Sequence, residues 1–115
     1  MLERKTQAPP RARKSGSERL REALIALADG HARMSTHREK SWASITFAGA
    51  RHHVELVFEG AVAVAAGERF IAELPDHEFA IPGQLVAEAT VAEVDHRLDP
   101  PSMRITCELL LLEDA

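Results

Sequence analysis

The residues of this chain best suited to chemistry are its histidines, His31, His37, His52, His53, His77 and His96. Imidazole is the commonest metal ligand and the side chain that titrates near neutrality. Their spacing argues against a simple metal site. His52 and His53 are adjacent, and neighbours on a strand point to opposite faces, so both reach one ion only through a bulge. No HxH, HExxH or HxxxH pair occurs. A metal or acid–base centre would have to be assembled in three dimensions from His53, His77 or His96 with Glu55, Asp76 or Asp95, and His52 completes the candidate polar cluster.

The other reactive groups fit structural roles. The Asp-His pairs of "DHEF" and "VDHR" are ordinary turn and strand-end chemistry. No GxSxG elbow accompanies them, and Cys107 sits between Ile105 and Leu109 in an apolar run, away from any helix N-terminus that would activate a thiol. Neither GxGxxG nor a Walker sequence is present. With no tyrosine, and with four phenylalanines and one tryptophan dispersed, the stacking platform of a single-strand-binding sheet is missing. The sequence leans away from catalysis, and no cofactor or bound metal is expected.

Charge is segregated along the chain. Residues 1–40 hold ten Lys and Arg against five Asp and Glu, and residues 41–115 hold four against thirteen. The first sixteen residues, "MLERKTQAPPRARKSG", have almost no large apolar side chain to offset an ordering entropy of about 1–2 kcal/mol per residue, so they read as a disordered basic arm. Arg11, Arg13 and Lys14 are its candidate phosphate contacts for nucleic acid. The arm lacks the apolar core of a secretory signal, no stretch is long and apolar enough to span a bilayer, and the single cysteine suits a reducing compartment; a cytoplasmic protein without membrane contact is expected.

Residues 17–115 read as one domain. "SERLREALIALADG" places Leu20, Leu24, Leu27 and Ala28 on one helical stripe, with Ser17 as N-cap and Gly30 as the left-handed stop. From Ser41 the period becomes two. "SWASITFAG" sets Ala43, Ile45 and Phe47 against Trp42, Ser44 and Thr46, and "RHHVELVFEG" sets His52, Val54, Leu56 and Phe58 against His53, Glu55, Val57 and Glu59, with "AGAR" as the hairpin turn. A second helix is predicted over 61–74, ending at Pro75, and two further strands over "QLVAEATVAEVDHR" and "SMRITCELLLLED", joined by "LDPPS". The order α-β-β-α-β-β implies an α+β domain: an N-terminal helix, then two antiparallel hairpins separated by a helix, with the helices covering one face of the sheet.

The last strand has too many leucines for a sheet covered on one side. Met103, Ile105, Cys107, Leu109 and Leu111 fill one face, and Leu110 and Leu112 point to the other. Those two leucines need cover, from the N-terminal helix or a second subunit, and a homodimer is expected with Leu110 and Leu112 at the interface and Trp42 as a rim or anchor residue. The leading expectation is therefore a non-enzymatic interaction or oligomerisation module that self-associates and takes a protein partner. The alternatives are a small regulator contacting nucleic acid through the basic arm, and a minor enzyme or metal site built from the strand-end histidines.

Overall fold

The computed structural model describes residues 15–114. Helix α1 spans Gly16–Leu27 and opens with a capping box: the Ser15 hydroxyl accepts the Glu18 N–H at 3.1 Å, and the Glu18 carboxylate accepts the Ser15 N–H at 2.8 Å. Ser15, not Ser17, is therefore the cap, and Ser15 and Gly16, assigned to the arm by composition, belong to the helix start. The reason is local. Only Ser15 has a glutamate three residues on, whereas Ser17 has Leu20 there, and the reciprocal pair satisfies two orphan donors for about 1 kcal/mol. Ser17 lies in the first turn and donates its hydroxyl to Glu39. At the other end Gly30, at φ 73°, donates its N–H to the Ile25 carbonyl and stops the helix as its residue type implies.

Four strands follow: β1 (Ala32–Ala43), β2 (Ala48–Glu59), β3 (Gln84–Leu98) and β4 (Pro101–Glu113), with helix α2 (Ala61–Glu73) and a short 3-10 turn (Leu74–Asp76) between β2 and β3. They form one antiparallel sheet in the order β1-β2-β4-β3. The α-β-β-α-β-β architecture matches the expectation from sequence. The first hairpin does not match in detail. Strand β1 begins at Ala32 rather than Ser41, and the turn is Ser44–Phe47, closed by the Ser44 N–H on the Phe47 carbonyl at 2.7 Å, rather than "AGAR". Ile45 and Phe47 thus lie in the exposed turn and not on the buried face. The cause is that β1 is an edge strand with a bulge between Met34 and Thr36, so its period is broken and its outward side is charged.

Both helices pack on one face. Leu20 and Leu24 of α1 and Ala66 and Phe70 of α2 meet Val54, Leu56 and Phe58 of β2 and Ile105, Cys107, Leu109 and Leu111 of β4, which together form a buried core. The Phe58 and Phe70 rings lie 6.1 Å apart, within aromatic pairing range. Burying each such side chain contributes about 2–3 kcal/mol. The α2 axis comes close to the sheet at Gly67, where an added Cβ would sit 2.8 Å from the Met103 sulfur and 3.2 Å from the Phe58 ring.

Candidate functional site

Strand alternation separates the histidines as their spacing predicts. His52 points to the covered face and is buried; His53 points to the open face, its Nδ1 3.5 Å from the Glu108 carboxylate. His77 stacks edge-on against Phe79 in the segment after α2, and His96 is exposed on β3. The four therefore do not converge. No group of three or more His, Cys, Asp or Glu among the described residues could hold a metal ion.

His52 instead meets a histidine that lies outside the candidate polar cluster expected from sequence. His37 Nε2 lies 2.9 Å from His52 Nδ1, one ring donating and the other accepting. The bulge that breaks the β1 period also brings His37 onto the covered face opposite Val54, and no pattern in the sequence signals this. Burial pushes the pKa of both rings down, for His37 with the added repulsion of His52 and Arg21, while Glu39 pulls both partly back. Burial pushes the Cys107 thiol up to about 12, so it is protonated and inert as a nucleophile. A crevice of about 400 Å³ beneath the start of α1 is lined by Ser15, Glu39, His52, Gln84 and Glu113 among others, but its only charges are carboxylates and the helix start above it is already capped.

The open face is the distinctive surface. Strand register sets its side chains in rows running β1, β2, β4, β3: Trp42, Gly49, Leu112, Leu85; then Lys40, Arg51, Leu110, Glu88; then Arg38, His53, Glu108, Thr90; and, past Thr106, Arg33, Val57, Arg104, Asp95. The first strand contributes only basic charge to this face. The last contributes Glu88, Glu93 and Asp95, with Arg97 alone of opposite sign at its far end.

Leu110 and Leu112 do lie on the open face, yet they are only 5% and 8% exposed in a single chain. Their cover is neither α1, which sits on the opposite face, nor requires a second subunit. Arg51 and Glu88 flank Leu110 on either side and join at 3.4 Å, and the row of Leu112 continues into Leu85. Thr106 is likewise screened beside the Arg104–Glu55 pair at 3.6 Å. Long charged side chains thus shield apolar ones with their methylene stems. The exposed large apolar groups are elsewhere: Leu85, Val94 and Leu98 on β3, Val62 on α2, and Ile45 and Phe47 in the turn next to Trp42, which lies at the opposite end of its row from Leu85. Arg11, Arg13 and Lys14 lie outside the described residues.

The fold is that of a small α+β sheet domain with one helical face and one open face. No family model matches the chain, and no curated protein matches it. Among solved structures it is similar to a chain described as the virion of a native gene transfer agent particle, with a TM-score of 0.52 and 15% identity over 86% of this chain and 92% of that chain. This likeness shows the fold. No helix among the described residues is long and apolar enough to cross a membrane.

Proposed function

We propose that this protein is a non-catalytic structural subunit that works by assembling with other protein subunits, of the kind that builds a virion-like particle, and that it is at least a homodimer. The observation that carries this reading is the uncovered sheet face with its two free, oppositely charged edge strands. An open antiparallel face can remain solvated, so it is the two unpaired edges of opposite charge that favour protein contact. The similarity in fold to a virion protein supports the same reading. Among the described residues Cys107 is buried, His37 and His52 are bonded to each other and the remaining histidines are dispersed, so no reaction is assigned to these groups.

The test is sedimentation of the full chain at low ionic strength from micromolar concentrations upward. Mass rising with concentration supports the assembly reading, and a monomer throughout overturns it.

A further inference from the structure

The assembly reading leaves open which surface joins the copies, and the inference here rests on that reading. We propose that copies of this chain join head to tail, the β3 edge of one adding to the β1 edge of the next, so that the antiparallel sheet runs on from subunit to subunit.

Three properties of the sheet lead to this arrangement. First, both edges are long and unpaired: β1 has 12 residues and β3 has 15. An edge strand presents a row of free backbone N–H and C=O groups that template a further strand. Second, four strands in strict antiparallel alternation make β1 and β3 run in opposite directions. Translating a copy sideways therefore sets β3 antiparallel to β1, in keeping with the rest of the sheet.

Third, the charges permit this pairing and oppose the symmetric ones. If each row of the open face continues in register into the next copy, Leu85 meets Trp42, Glu88 meets Lys40 and Asp95 meets Arg33. The first is an apolar contact and the other two are opposite-charge pairs. Arg33 and Lys40 have no ion-pair partner among the described residues, whereas Glu88 already pairs with Arg51 and Asp95 with Arg97, so in the joined sheet each carboxylate would be shared between two exposed cations. Pairing β1 with β1 would crowd Arg33, Arg38 and Lys40 of two copies onto one face, and β3 with β3 would crowd Glu88, Glu93 and Asp95 of two copies; crowding like charge opposes a strand pair, most strongly where the charges fall directly opposite. Edge charge commonly guards a sheet against aggregation, but a guard of opposite sign on each edge blocks only like edges. Bulges on β1 between Met34 and Thr36, and on β3 between Val86 and Glu88 and between Val91 and Glu93, confine the new ladder to short runs, of which Glu88–Val91 is uninterrupted. Such a heterologous contact leaves one edge free at each end, so it propagates beyond a dimer.

The test uses two charge-reversed pairs of full-length chains, Arg33→Glu with Lys40→Glu, and Glu88→Lys with Asp95→Lys, compared with the unmodified chain by sedimentation and checked for folding by circular dichroism. Each variant alone is expected to associate at least about tenfold more weakly, and mixing the two is expected to restore species larger than a dimer. Loss of residues 1–14 is expected to leave association unchanged. Undiminished association of both variants, or restoration that stops at a dimer, overturns the head-to-tail edge while leaving the assembly reading in place. Association abolished by removing residues 1–14 does the same, because the arm would then be the contact. An unmodified chain that stays monomeric overturns both.

Discussion

His37 Nε2 and His52 Nδ1 stand 2.9 Å apart beneath the first helix, two imidazoles satisfying each other where neither is fully hydrated. His52→Ala removes a buried ring and leaves His37 without its partner, so it is expected to lower stability by about 2 kcal/mol. His53, on the open face and about a third exposed, makes only a surface pair with Glu108. Its replacement by alanine is expected to change stability by no more than about 0.5 kcal/mol. Urea denaturation of both variants checks the contrast, and equal losses would contradict the facing assigned to the two residues.

The same pair makes stability depend on acid. Both pKa values are pushed below the ordinary histidine value of 6.5, mainly by burial. The unfolded chain therefore takes up protons first as pH falls, so the contribution of the pair is fully present above about pH 6.5 and is lost as pH drops through the folded-state values. Denaturation midpoints are expected to fall below that pH, and to fall less when His37 and His52 are both replaced by glutamine. An identical acid slope in the double variant would assign the dependence to other groups.

Gly49 is required by contact rather than by φ. A Cβ there would sit 2.0 Å from the Leu111 carbonyl oxygen and 2.9 Å from the Leu112 Cα, both backbone atoms that cannot swing aside. Gly49→Ala is expected to cost about 3 kcal/mol or more by forcing β2 away from β4. Gly67→Ala meets the flexible Met103 side chain first, so about 1–2 kcal/mol is expected there. Thermal unfolding of the two variants should rank them in that order.

Leu110→Lys is expected to destabilise the single chain by about 2–4 kcal/mol instead of yielding a well-folded soluble monomer. The leucine is enclosed by its own neighbours, and a lysine there would lie beside Arg51. A variant as stable as the unmodified protein would show that the Arg51–Glu88 pair gives no real cover.

Cys107 is fully buried and its thiol is raised to about 12, so thiol reagents are expected to leave the folded protein unmodified and to label it only at the rate of opening. Rapid labelling in native buffer would disprove this.

Period-two alternation was enough to place His52 inward and His53 outward, to put Leu110 and Leu112 on the face opposite Leu109 and Leu111, and to order the helices and strands, because strand geometry alternates regardless of what lies nearby. It failed on β1. An edge strand is held by one neighbour and covered on one side, so "ARMSTHREKSW" carries little apolar signal, and the bulge after Met34 breaks what remains. The apolar Ile45 and Phe47 then drew the strand into its own turn.

The sequence by itself determined the α+β class, the facing of residues along β2 and β4, and the excess of apolar side chains on the last strand. Only the tertiary structure decided that Arg51 and Glu88 close over Leu110, that His37 is the partner of His52, and that basic and acidic side chains gather on opposite edges of one face. Each of these relations joins residues far apart in the chain through strand register. Register depends on bulges and on which strands become neighbours, and neither is written in the local period.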